Sequence, residues 1–301
     1  MVTGGAGFIG SHVAEFYAKK HEEVVVFDNL SRATLLNNVL IDPLYNWNYL
    51  KRYNNIHLVK GDVRDKKKLE KIAKNADVIV HTAAQTAVTT SLLDPTTDFE
   101  INTVGTFNVV EAARKNDSAV VFTSTNKVYG ANVNKILIKK KKSRYVFADP
   151  HFNFGIPETL PIDLTEHSPY GSSKLAADIY VQEYAHTYGI KSGVFRMSCI
   201  YGDRQFGVED QGWVAWFTIA TLTNKQITIY GDGMQVRDVL YVDDLVNLFD
   251  RFIRSNKKHV VVNTGGGPKN TLSLIELLNM LAKLTGKRVK VKYSAWRPAD
   301  Q

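Results

Sequence analysis

Tyr170-Gly171-Ser172-Ser173-Lys174 sets a phenol and an ammonium four residues apart, a spacing that puts both on one face of a helix, one turn apart. A tyrosine at the reference pKa of ~10 is a poor base at neutral pH, but a neighbouring ammonium favours the phenolate. Tyr170 can then take a proton from an alcohol. Upstream, Phe122-Thr123-Ser124-Thr125 ends a β-rich run, and Thr125 or Ser124 is expected to hydrogen-bond the same alcohol. In a chain with 14 tyrosines such a pair arises readily by chance. Its weight comes from what precedes it.

Thr3-Gly4-Gly5-Ala6-Gly7-Phe8-Ile9-Gly10 places Gly4, Gly7 and Gly10 at three-residue spacing between a strand and a helix. Glycine is needed where the backbone turns sharply and where a helix N-terminus must approach a pyrophosphate, whose charge meets free N–H groups and the helix dipole. Asp28, ending the second strand, suits both hydroxyls of an adenosine ribose and repels a 2′-phosphate, which favours NAD over NADP, with Arg32 close by on the other side of that choice. Asp62 after Gly61 either accepts from the adenine amino group or caps a helix. A cationic nicotinamide would add to the effect of Lys174 on Tyr170, and Lys174 would also hold its ribose. Together these groups describe an alcohol oxidation in which hydride passes to the cofactor.

The elements that must hold these residues follow an alternating pattern. Met1–Thr3, Val24–Phe27, Ile56–Val59, Val78–His81 and Val120–Thr123 read as buried parallel strands, separated by helices at Ser11–Lys20, Lys67–Lys74 and Thr103–Arg114. Pro169–Tyr188 and Ser192–Arg196 continue the pattern as helix and strand. Beyond Gly202 it becomes irregular, with helices at Val214–Thr223 and Leu272–Leu284 and strands at Ile227–Tyr230 and Val289–Tyr293. The expected fold is α/β, a Rossmann-like doubly wound parallel sheet with a smaller C-terminal α/β substrate-binding lobe. Residues 1–200 are expected to form the NAD-binding unit, interrupted by an insertion at 131–168, and 201–301 mainly the lobe, the chain crossing back near 237–263. A first strand of three residues, and a Gln301 that follows a strand with no closing element, suggest residues missing at both ends.

Composition narrows the class. With 301 residues, 44% hydrophobic and 23% charged, the chain is globular, and it has no apolar run or leader-like segment. The single Cys199 forms neither an intrachain disulfide nor a multi-cysteine metal site, so a cytoplasmic protein without metal is expected. The net charge of +8 does not make a nucleic-acid binder: six basic residues against one acid at 131–150 supply +5 of it, and a lysine run such as Lys139–Lys142 is usually a solvated face. Trp213 and Trp216 read as core packing of the lobe.

The glycine loop with Asp28, together with His81-Thr82-Ala83-Ala84, Asn102-Thr103, Val128-Tyr129-Gly130 and Tyr170 to Lys174, resembles the extended short-chain dehydrogenase/reductase family of nucleotide-sugar epimerases and dehydratases, over essentially the full chain. The resemblance implies a dinucleotide set of Gly4, Gly7, Phe8, Ile9, Gly10, Asp28, Asn29, Ser31, Asp62, Val63, Ala83, Ala84, Tyr170 and Lys174, and catalysis by Thr125, Ser124, Tyr170 and Lys174. It implies substrate contacts from Gln85, Thr125, Asn126, Arg196, Arg204, Gln211, Arg237 and Arg297, with Gly231–Asp238 and Arg297–Asp300 as nucleotide-diphosphate segments. A guanidinium forks well onto phosphate oxygens. A homodimer or homotetramer through helices including the one bearing Tyr170 is implied too, with no membrane partner.

Dehydratases of this family carry an Asp-Glu pair after the catalytic threonine. Here Asn126-Lys127 follows Thr125, and neither is a carboxylic acid, which disfavours dehydration. Oxidation, turnover of a keto-sugar within the site and reduction on its other face need no further acid or base. Ser124–Gly130, His167–Gly171, Tyr201–Gly207 and Asp210–Phe217 resemble the family's 2-epimerases of CDP-dideoxyhexoses. A UDP-hexose 4-epimerase using the same residues is the alternative, and a silent NAD-binding regulator is the alternative from another class.

Overall fold

Val120, Val121 and Phe122 alternate faces along one strand and are all fully buried, so that strand has cover on both sides. The computed structural model describes residues 1–35 and 42–297. The chain runs β1 (Val2–Thr3), α1 (Phe8–Lys19), β2 (Val24–Asp28), α2 (Arg32–Leu35), α3 (Tyr45–Leu50), β3 (Ile56–Lys60), α4 (Lys66–Ala73) and β4 (Val78–His81). Two short helices, α5 (Val88–Leu93) and α6 (Pro95–Phe99), lead through a π-helical turn at Glu100–Val104 into α7 (Gly105–Asn116) and β5 (Ala119–Thr125). A 3-10 segment at Asn126–Lys135 and a hairpin of β6 (Ile138–Lys141) and β7 (Arg144–Phe147) precede α8 (Pro169–Tyr188), β8 (Ser192–Met197) and β9 (Cys199–Tyr201). There follow α9 (Trp213–Leu222), β10 (Ile227–Tyr230), β11 (Val236–Tyr241), α10 (Val242–Arg254) and β12 (His259–Thr264). The last elements are β13 (Thr271–Ser273), α11 (Leu274–Thr285) and β14 (Val291–Ser294).

Seven strands form one parallel sheet in the order β12-β8-β5-β4-β1-β2-β3. Strand order reverses between β1 and β4, which opens a crevice at their carboxyl ends. Phe27, Leu69, Ile79, Val109, Phe122 and Val181 fill one face; Val13, Val26, Val121, Phe195, Leu245 and Phe249 fill the other. The doubly wound sheet is thus the fold expected. A separate core of Phe217, Ile227, Ile229, Leu277 and Leu281 holds the lobe, with Trp213 and Trp216 packed against it.

Local signals explain the helix that bears Tyr170. Ser168 Oγ accepts from Gly171 N at 3.1 Å, Pro169 takes the first turn, and Gly189 ends α8 at φ 71°. Elsewhere the structure shifts the expected bounds. Helix α1 begins at Phe8 rather than Ser11, because Gly7 is its N-cap. Ser273 and Glu276 form a capping box, so Leu272 belongs to a strand and α11 starts at Leu274. The last strand begins at Val291 rather than Val289. The expected elements leave out α10, β12 and the β6–β7 hairpin: β12 pairs with the distant β8, the hairpin pairs within itself, and α10 buries Val242, Leu245, Val246, Phe249 and Phe252 at helical spacing. That hairpin docks on the lobe: Tyr145 donates to Asp232 at 2.7 Å, and Arg144 pairs with Glu276. Strand β6 itself is exposed throughout, the solvated face expected of its lysines.

Candidate active site

The glycine loop turns over the crevice between β1 and β4. Gly4 sits at φ +66°, and a Cβ there would come within 2.5 Å of Ala83 N. At Gly10 a Cβ would lie 2.3 Å from Gly4 O, so α1 packs against the loop only through glycine. No side chain caps α1 at Gly7, leaving its first N–H groups for an anion. Asp28 stands at the crevice with Oδ2 accepting from Ala6 N at 2.9 Å and Oδ1 from Leu30 N at 2.7 Å. Burial raises its carboxyl above the usual range, and each oxygen keeps a lone pair for a hydroxyl donor.

The same cleft is lined by Phe8, Ile9, Asn29, Ser31, Asp62, Val63, Ala83 and Ala84. Asn29 Nδ2 donates to Asp62 Oδ2 at 2.8 Å, and its Oδ1 accepts from Ser31 N at 3.0 Å. Burial alone would raise Asp62, but hydrogen bonds from the Arg64 side chain and backbone and from Asn29 outweigh it and hold the carboxyl at about 2. The cap of α4 is Asp65, not Asp62. Every residue of the expected dinucleotide set except the Tyr170–Lys174 pair lines this one cleft. An uncapped helix N-terminus that offers N–H donors, a close-packed glycine loop and a buried carboxylate that offers acceptors are groups that fit NAD.

At the reaction end, Tyr170 and Thr125 share a hydrogen bond. Ser124 points the other way, its Oγ donating to Asp178 at 2.5 Å, because neighbours on a strand face opposite sides. The expectation for Ser124 is therefore corrected. Lys174 is buried, with Nζ donating to Thr123 O at 2.7 Å and lying 4.2 Å from the Phe122 ring centroid. Burial lowers its ammonium to about 7, against the opposing pull of Asp178 and Asp98. Burial also pushes the Tyr170 phenol up to about 12, with Thr125 pulling down and Asp98 up. The chain alone thus holds Tyr170 protonated, opposite to the effect expected of Lys174.

Several expected substrate residues are already engaged. Arg196 is buried and forks onto Asp178 at 3.0 and 3.1 Å, while Tyr129 accepts its third bond at 3.1 Å. Its register opposite Ser124 puts both on one face of the sheet, so Arg196 is corrected to a buried ion pair. Gln85 reaches the cleft wall, but its amide is spent on Asp98 at 2.7 Å and on the Ala87 backbone. Arg204 pairs with Glu15 at 2.8 Å and stacks on Tyr49, turned away from the crevice. Asn126 stays beside Thr125, accepting from Thr125 Oγ1 at 3.4 Å.

Gln211 lines the dinucleotide cleft and accepts from Arg32 at 2.9 Å. Arg297 stacks on Tyr230 at 3.8 Å and pairs with Asp210 at 3.1 Å. Arg237 lies on β11 near Cys199, whose thiol burial pushes up while Arg237 pulls it down. Cys199 is half-buried. Pro298, Ala299 and Asp300 lie outside the described residues. Sequence reasoning missed Asn46 and Asp98. Asn46, 6% exposed, lines the dinucleotide cleft with Oδ1 unpartnered. Asp98 is buried under α8, accepting from Ser173, Gln85 and Asn102. Neither belongs to a local motif.

Among the described residues no group of three or more His, Cys, Asp or Glu side chains converges as a metal site, and no helix is long and apolar enough to cross a membrane.

A profile of the NAD dependent epimerase/dehydratase family matches residues 1–265, and the chain belongs to that family. The expectations of an NAD cofactor and of an epimerase stand with this membership. CDP-paratose 2-epimerase of Salmonella typhi is 39% identical, the match covering 100% of this chain and 88% of the relative. UDP-glucuronate 4-epimerase of Thermodesulfobacterium geofontis is 31% identical over 100% of this chain and 84% of its own. Among solved structures, the UDP-glucose 4-epimerase of Thermus thermophilus in complex with NAD superposes with a TM-score of 0.76 at 31% identity, covering 99% of this chain and 87% of that one.

Proposed function

We propose that this protein epimerises C2 of a CDP-dideoxyhexose, most closely CDP-paratose, through transient oxidation to a keto-sugar and re-reduction on the opposite face. The observation that carries the reading is the 39% identity along the whole chain with a CDP-paratose 2-epimerase. Asn126-Lys127 after Thr125 supports it, since no carboxylic acid follows the threonine to eliminate water. Bound NAD would supply a reversible hydride acceptor beside the sugar.

Gly4, Gly7, Gly10 and Asp28 would hold that cofactor, with Asn29, Ser31, Asp62, Val63, Ala83 and Ala84 along its wall. Thr125 would orient the sugar hydroxyl that it shares with Tyr170. Tyr170 would take the hydroxyl proton during oxidation and return it during reduction, so the residue ends each cycle unchanged. Because burial holds the phenol up, this step gains from any positive charge brought beside it. Arg237, Arg297 and Gln211 would hold the nucleotide diphosphate, and Lys174 the nicotinamide ribose. Exposed Ile179 and Tyr180 on α8 support self-association through that helix; a single cysteine suits a cytoplasmic location.

The alternative is a UDP-hexose 4-epimerase, favoured by relatives and solved structures named for UDP sugars. Proton NMR of the purified protein with NAD, offered CDP-paratose and UDP-glucose separately, decides. The C2 epimer from the CDP sugar alone is expected. A C4 epimer from UDP-glucose transfers the reading to the alternative, and silence with both sugars while NAD is bound overturns both.

A further inference from the structure

One segment of the second half of the chain reaches back onto the dinucleotide cleft. Between β9 and α9, Asp203–Gly212 folds on itself through the Val208–Gln211 pair, at 2.9 and 3.0 Å. Phe206 and Gln211 from it line the same cleft as Gly7, Asp28 and Ser31. Arg204 and Phe206 take left-handed backbone conformations, φ 59° and 48°, which residues with a Cβ keep only where surroundings hold them.

Those surroundings are identifiable. Arg204 pairs with Glu15 at 2.8 Å and lies 4.0 Å above the Tyr49 ring. Phe206 meets Tyr45 edge-on at 4.9 Å. From the β2–α2 turn, Arg32 Nη2 donates to Gln205 O at 3.1 Å, Phe206 O at 3.0 Å and Gln211 Oε1 at 2.9 Å. On the lobe side, Tyr230 Oη donates to Glu209 at 3.0 Å and Arg297 pairs with Asp210 at 3.1 Å. The segment is a strap anchored at both ends, and Arg32 is its fastening at the cofactor side.

An arginine four residues beyond Asp28 invites reading as a reader of a 2′-phosphate. Its Nη2, which carries two N–H groups, instead faces three strap acceptors, so that nitrogen is committed to the strap. Resting on the reading that NAD occupies this cleft, we propose that Arg32 is a positioning residue that fastens Asp203–Gly212 over the adenosine end of the dinucleotide, so that bound NAD leaves only after the strap is released.

The test is the rate at which NAD-loaded, desalted protein loses NAD, with thermal melting and NAD and NADP titrations alongside. Arg32→Ala is expected to release NAD at least tenfold faster at unchanged fold, and to remain poor at binding NADP. Gln211→Ala, which removes one of the three bonds, should accelerate release by less. If Arg32→Ala fails to fold, Gln211→Ala and Phe206→Ala decide by the same rate. Release at the wild-type rate, or a loss confined to NADP, overturns the proposal while leaving the NAD reading intact. Wild-type protein that takes up no NAD overturns that reading, and this one with it.

Discussion

At the dinucleotide end of the cleft the contacts come from backbone and short side chains at the switch point of the sheet: Gly4 against Ala83, Gly10 against Gly4, Asp28 on two neighbouring N–H groups. At the proposed sugar end the expected contact is a long cationic side chain whose head already has partners, Arg297 on Asp210 and the Tyr230 ring. Shape built from backbone tolerates no added atom. Charge carried on long stems can change partner when a phosphate arrives, at the cost of the ion pair it leaves.

The largest expected effect lies between the two ends. Tyr170→Phe removes one oxygen and the proton acceptor; kcat should fall roughly 10²–10⁴-fold with NAD still bound. Turnover within a fewfold of wild type would remove Tyr170 from the chemistry. Gly10→Ala attacks the backbone-built end: its Cβ would sit 2.3 Å from Gly4 O. Loss of NAD binding is expected, with a destabilisation of roughly 1–3 kcal/mol, measured by calorimetric titration and melting. A wild-type affinity there would mean that the loop can move.

Asp28→Ala should weaken NAD about tenfold, the cost of one charged hydrogen-bond acceptor of about 1.5 kcal/mol, without improving NADP. An unchanged NAD titration would sink the ribose assignment. Arg297→Ala at the sugar end should raise the KM for the nucleotide sugar by about fivefold at similar kcat, since freeing Asp210 from its pair offsets part of the lost phosphate contact. A fall in kcat alone would contradict it.

The smallest effect tests a joint of the lobe. Hydrogen bonding by Arg144, against the opposing effect of burial, holds Glu276 at about 2 rather than 4.5. Glu276 therefore contributes its full stability above pH 4.5 and loses it as pH falls toward about 2. Glu276→Gln should lower stability by about 1 kcal/mol or less near neutrality and narrow its gap from wild type in acid. A gap that is constant between pH 6 and 3 would refute the linkage.

The two ends also differ in how far the sequence revealed them. Glycine spacing and Asp28 pointed to residues that the structure gathers in one cleft, because the shape there is set by the main chain, whose path three glycines and one strand end prescribe. Thr125 and Ser124 were both open choices until the facing of β5 separated them, one beside Tyr170, the other on Asp178. Arg196 looked equally able to meet substrate or a carboxylate; its register opposite Ser124 committed it to Asp178. Asn46 and Arg32 took their places in the cleft through contacts with residues 39 and more than 170 positions away, Gly7 and Gln205.

What the sequence by itself determined was the alternation that builds the parallel sheet, the turn that makes an anion site, and a phenol and an amine-bearing side chain one helical turn apart. Each depends on neighbours within a few residues, where period and backbone sterics decide. Only the tertiary structure decided which cations face the cleft, how the strap crosses it, and that Tyr170 and Lys174 are both pushed toward their neutral forms by burial. The physical reason is that desolvation and the reach of a long side chain depend on what the rest of the chain packs around them.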